Sequence, residues 1–150
     1  MKHLIRLPVL AILTLILNSC TQHKIKLEKV SYLSSDFVAE KHFGLSLKQI
    51  REQNLFLLVT GRFDTTTESP PHRQAVVVIH HQKIFLDLES METNDNQFIE
   101  KYSGNGYKLD LYYKVKGEDS PGFPIYEGVL KISSSEMTSE YRLLGVPGYY

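Results

Sequence analysis

The sequence contains no tryptophan, a single cysteine and no net charge: its 17 lysines and arginines are matched by 17 aspartates and glutamates. Each shortage excludes something. One cysteine cannot form a disulfide within the chain, so the fold must rest on its core alone. Without tryptophan, the Cys…Trp…Cys signature of true immunoglobulin domains is missing. Balanced charge leaves no broad electrostatic case for nucleic acid, which favours clustered lysine and arginine. No repeat at solenoid spacing is visible. What remains is 150 residues, 42% hydrophobic and 23% charged, the composition of a single folded domain rather than a disordered chain.

The first twenty residues stand apart. "MKHLIR" is a short basic start, with Lys2 and Arg6, and the apolar "LPVLAILTLIL" follows from Leu7 to Leu17. These 11 residues fall short of the roughly 20 a bilayer-spanning helix needs, and fit the h-region of a secretory signal peptide. In place of a small-x-small cleavage site comes Leu17-Asn18-Ser19-Cys20. This segment resembles the bacterial lipoprotein lipobox, with Leu17, Ser19 and Cys20 matching and Asn18 standing where a small residue is commonest. The resemblance implies diacylglycerol on the Cys20 sulfur, cleavage before Cys20 and an acyl chain such as palmitate on its new amino group. Each buried CH₂ adds about 0.8 kcal/mol, and two or more chains hold where one does not. It also implies an address. Thr21, not aspartate, follows the cysteine, which by enterobacteria-like sorting points to the outer membrane, facing the periplasm. The expected division is therefore a signal peptide over 1–19, a lipidated tether over 20–24 and one domain over 25–150. The mature chain keeps 15 basic against 17 acidic residues.

The mature chain reads as strands separated by turn formers. "IKLEKV" (25–30) alternates apolar and charged residues, as a half-buried strand does. "SYLSSDFVAEKHFG" is ambiguous. "SLKQIREQN" carries a helix start, Ser46 with Gln49 three residues on, and predicts a short helix over 47–53. "LFLLVTGRF" is a strand apolar enough to be covered on both faces. "AVVVIHHQKIFLDLES" reads as a hairpin turning at His81-Gln82, with Val77, Ile79, Ile84, Leu86 and Leu88 on one face. The other face carries Val76, Val78 and Phe85, and the helix, through Leu47 and Ile50, is its expected cover. "YKLDLYYKV" alternates cleanly, with Leu109, Leu111, Tyr113 and Val115 inward. "KGEDSPGFP" is a predicted loop over 116–124, and "IYEGVLKIS" and "YRLLGV" complete about seven strands. Strands do not alternate with long helices, which disfavours a doubly wound sheet. The expected fold is mainly β, a two-layer antiparallel β-sandwich, immunoglobulin-like or transthyretin-like in outline, with one short helix. A small barrel or an α+β sheet remains open.

Chemistry-bearing motifs are sparse. Adjacent His80 and His81 point to opposite faces of a strand and cannot chelate one ion, and no cysteine completes a zinc set. Asp87 is the one same-face partner available to His80. There is no nucleophile elbow, and "GNG" lacks the third glycine of a dinucleotide loop. The sequence therefore calls for no catalytic residue, metal or cofactor. Eight of the nine tyrosines fall at 102 and beyond, a residue suited both to strands and to interfaces. The expectation is a non-catalytic lipoprotein, held to the membrane through Cys20 and binding an envelope protein. Such a protein is an accessory subunit of an envelope or secretion assembly, or an inhibitor or immunity factor. Loops 64–73 and 116–124 and the exposed tyrosines are the predicted contacts: Pro70, Pro71, His72, Arg73, Tyr112, Phe123, Tyr149 and Tyr150. The alternative is a small-ligand lipoprotein, carrying a lipid, glycan or metal.

Overall fold

Eight strands follow one another, each antiparallel to the next: β1 (Phe37–Gly44), β2 (Leu58–Phe63), β3 (Arg73–Ile79), β4 (Gln82–Asn94), β5 (Gln97–Gly104), β6 (Tyr107–Ser120), β7 (Phe123–Ser133) and β8 (Thr138–Pro147). The computed structural model describes residues 24–31, 33–64 and 72–148. β1 then pairs with β8, Lys41 with Pro147 through Gly44 with Leu144, and the sheet closes into a barrel. This corrects the expected two-layer sandwich. Inner strand faces alternate in the same way in a sandwich and a barrel, so periodicity does not separate them. What separates them is whether the first strand meets the last, and "FVAEKHFG" alternates too weakly to be read as that strand. Closure removes both sheet edges, and bulges in β1, β4 and β6 give the strands the bend it needs.

Eight strands enclose a space that side chains just fill. Leu58, Leu86, Leu109, Leu111, Leu130 and Ile132 are fully buried there. β1 approaches β8 closely because Gly145 has no side chain: a Cβ there would sit 2.5 Å from the Phe43 ring. The predicted strand at 25–30 is instead a strap making isolated bridges, Glu28 to Val78 and Val30 to Phe56. It first plugs the barrel. The Ile25 N–H donates to Ser139 Oγ at 2.8 Å and the Leu27 N–H to the Tyr141 hydroxyl at 3.1 Å. The Tyr141 hydroxyl donates in turn to the Ile25 carbonyl.

The strap then continues along the outside of the barrel. There Val30, Leu33, Phe37 and Phe56 pack with Val59, Val76, Val78 and Phe85 in a second apolar cluster. The outer valine face is thus covered by the chain's own strap, not by the helix as expected. The helix α1 (Leu47–Gln53) has the predicted bounds, and Ser46 Oγ accepts from the Gln49 N–H at 3.2 Å. Its one buried side chain, Ile50, lies over Gly44 instead.

Two turns differ from their sequence reading. His80-His81, both at positive φ, form the β3–β4 turn, so Ile79 pairs with Gln82 one residue earlier than expected. The predicted loop at 116–124 is strand on both sides of a Pro121-Gly122 turn, paired out to Ser120 and Phe123. Turn-forming residues in "KGEDSPGFP" are absorbed by bulges at 115–117 and 118–120.

Candidate functional site

Alternation places a charged cluster inside the barrel. Lys41 on β1, Arg62 on β2, Arg73 on β3 and Glu100 on β5 all fall on inward positions, in register with buried neighbours. Glu100 is 2% exposed and has three donors: the hydroxyls of Tyr102 and Tyr113, each at 2.6 Å, and Lys41 Nζ at 3.2 Å. Burial first, then the negative charge of Glu100, pushes both tyrosine hydroxyls far above their usual range, so they remain donors. Lys41 also lies over the Tyr113 ring, 5.3 Å from its centroid. Towards solvent, Glu40 pairs with Arg73 at 3.4 Å and Arg62 at 3.9 Å. The carboxylate at the centre accepts from three donors on three strands, which is the arrangement of a structural tie rather than of a free acid or base.

The outer faces of β5 to β8 form a second feature. Register aligns Lys101, Asp110, Lys131 and Glu140 across the four strands, alternating in charge. The next outward row is Ile99, Tyr112, Val129 and Arg142, and the third is Gln97, Lys114, Glu127 and Leu144. Lys114 and Lys116 both pair with Glu127. An apolar stripe therefore lies between rows whose charges answer each other. With Leu45, it lines an open groove of about 520 Å³. Tyr112 is 42% exposed and Leu45 52%. Arg142 is exposed at the end of the stripe and makes no ion pair among the described residues. Charged rows on the outside and leucines within are the reverse of a membrane-spanning barrel, whose outer band is apolar.

A second groove, of about 530 Å³, runs between the strap and β1. Its lining includes His42, stacked on Phe56 with ring centroids 4.2 Å apart. Burial lowers the His42 pKa to about 4, which keeps the imidazole neutral.

The predicted contact residues do not form one site. Cys20, Pro70, Pro71, Tyr149 and Tyr150 lie outside the described residues. His72 meets Asp87 at 2.7 Å on the outer surface, and Gln74 donates to the same carboxylate. Asp87 thus partners His72, and His80 sits in a turn. These hydrogen bonds, Gln74 first, hold the Asp87 pKa below its usual value. Arg73 turns inward to Glu40. Phe123 is exposed at the β6–β7 tip, a hairpin tied to α1 by Arg51 and Asp119 at 2.8 Å. Tyr112 alone lines the outer groove.

Sequence reading missed Glu100 and the stripe, though signals existed. Glu100 occupies the inward phase of "QFIEKY" between Phe98 and Tyr102, where an apolar residue belongs. Ile99 and Val129 occupy outward phases, where polar residues belong. Neither shows its meaning until four strands are brought into register.

Among the described residues, no group of three or more histidine, cysteine or acidic side chains is placed to hold a metal ion. No family model, curated protein or solved structure matches the chain. The fold itself defines the class: an up-and-down β-barrel with a side-chain-filled interior.

Proposed function

We propose that this protein is a lipid-anchored envelope protein that binds a partner protein, without catalysis, through the outer face of β5–β8. The observation that carries the reading is the apolar stripe Ile99–Tyr112–Val129, continued by Leu144 and Leu45, on a surface otherwise covered by answering charges. Exposed apolar groups gathered in a groove mark an interaction site, whereas single ones do not. Tyrosine at its centre supplies area at small entropic cost. Arg142 at one end, without an ion pair among the described residues, selects a partner segment with apolar side chains and a carboxylate beyond them.

The anchor rests on the lipobox resemblance. Lys24 already belongs to the strap, so Cys20 has only four residues of reach, about 14 Å at ~3.5 Å per residue. With Cys20 lipidated, the plugged end, where Ile25 meets Ser139, faces the membrane and the opposite rim faces the periplasm. Replacing Cys20 by alanine is expected to move the protein from the membrane to the soluble fraction. The wild-type mature protein is expected to carry the mass of diacylglycerol plus one acyl chain. Unmodified Cys20 in the wild type would remove the anchor.

The binding reading is tested by capture from envelope extracts with wild type and with Tyr112→Lys plus Val129→Glu. Both side chains point outward from the barrel, so stability is expected to fall by no more than about 1 kcal/mol. Capture is expected to fall at least tenfold. Equal capture by both proteins would place the contact elsewhere.

A further inference from the structure

At the rim opposite the plugged end, the inward-facing cations outnumber the acids that meet them. Inward positions near that rim carry Lys41, Arg62 and Arg73 against Glu100, with Glu40 added from the β1 bulge. Lys41 is committed to Glu100. That leaves two guanidiniums sharing Glu40, one at 3.4 Å and the other only at 3.9 Å. Their side chains remain 37% and 42% exposed. Arg73 spends a further N–H on the Met91 sulfur at 3.6 Å, a weak acceptor. Most of the ten N–H groups that two arginines offer are therefore unanswered by the described residues.

Two further observations point to what they answer. First, Thr60, 1% exposed, lies two residues from Arg62 on the same inward face, and its hydroxyl has no hydrogen-bond partner among the described residues. Buried polar groups are rarely left so, and an orphan beside a cationic rim fits a polar visitor. Second, the apolar side chains at this end are exposed although their strand phase is inward. Met91 pairs in register with Glu100 and is 49% exposed. Val115, two residues past Tyr113 on the same face, is 39% exposed. Phe98 stacks on Tyr113 with centroids 4.9 Å apart and is only half-buried. Inward-phase apolar groups left open to solvent beside unanswered arginines match a ligand with one anionic head and an apolar body.

We infer that the barrel rim binds an amphipathic anion, its carboxylate or phosphate head between Arg62 and Arg73 and its chain along Met91, Val115 and Phe98. Arginine suits this task because its planar fork meets both oxygens of such a head. Phe98 also borders the outer groove, but Arg62 and Arg73 do not, so loss of binding tested at the two arginines would leave the protein-binding reading untouched.

The test is calorimetric titration of the folded barrel with dodecanoate and with dodecyl phosphate, with dodecanol as the uncharged control. Saturable binding of at least one anion is expected, with dodecanol at least tenfold weaker. Arg62→Gln, at the looser ion pair, is expected to weaken binding about tenfold, as is Arg73→Gln, while Lys108→Gln, exposed at the opposite end of β6, leaves it unchanged. A preference for dodecanoate or for the phosphate identifies a free fatty acid or a phospholipid-derived head. No saturable binding by either anion, equal binding of dodecanol, or affinity indifferent to both arginine variants would overturn the assignment.

Discussion

Replacing Glu100 by alanine is expected to cost the barrel about 3–5 kcal/mol, the scale for breaking a buried ion pair from one side. The substitution leaves three donors without their acceptor: the Tyr102 and Tyr113 hydroxyls and Lys41 Nζ. Two of those donors belong to buried residues, Tyr102 at 3% exposure and Tyr113 at 5%, so water does not readily replace the carboxylate. For a domain of this size the loss corresponds to a melting point lower by roughly 10–20 °C. The double variant Glu100→Ala, Lys41→Met is expected to recover part of the loss, because it removes the uncompensated charge along with its partner. Urea unfolding of the wild type and both variants measures this directly. A cost below about 1 kcal/mol for Glu100→Ala would mean the cluster is hydrated and does not tie β1 to β5 and β6.

The same cluster shows where sequence reading stops. Inward positions of β6 and β7 were legible because "YKLDLYYKV" and "IYEGVLKIS" alternate without interruption, and the structure buries Leu109, Leu111, Leu130 and Ile132 as that alternation requires. Helix α1 was legible because Ser46 caps it in sequence. Closure was not legible, since the contact between Phe43 and the bare backbone at Gly145 joins segments about a hundred residues apart. The strap has the sequence pattern of a strand because Ile25, Leu27 and Val30 bury as strand residues do while their backbone pairs only at isolated points. Of the contact residues chosen from sequence, Tyr112 lines the groove because its outward phase was read correctly. Arg73, at the end of a loop in the sequence pattern, is a barrel residue turned towards Glu40.

The second large effect is one of pH. Buried His42 takes up its proton near pH 4 in the folded protein, against an ordinary value of 6.5 in the unfolded chain. Between these values the unfolded chain binds the proton and the folded barrel does not, so acid favours unfolding. Stability from this residue is therefore complete above about pH 6.5, falls as pH drops towards 4, and levels off below that. The full difference is about 3 kcal/mol. His42→Phe preserves an aromatic ring against Phe56 and has nothing to protonate. Its stability is expected to be flat from pH 6.5 to 4.5 where the wild type declines, after allowance for the exposed carboxylates common to both. Parallel slopes for the two proteins in urea titrations would show that His42 is solvated and that the strap does not seal it.

Both effects concern how the barrel holds its shape; the claim about its work concerns the outer face of β5–β8. The most direct test places a photoreactive amino acid at position 112 or 129 in intact cells, with position 83 on β4 as the comparison. Illumination is expected to give one discrete protein adduct from 112 and 129 and none from 83, and the adduct is expected to vanish when Arg142 is replaced by glutamate. Absence of any adduct from 112 and 129, or an equal adduct from 83, would contradict the assignment of the stripe as the contact surface.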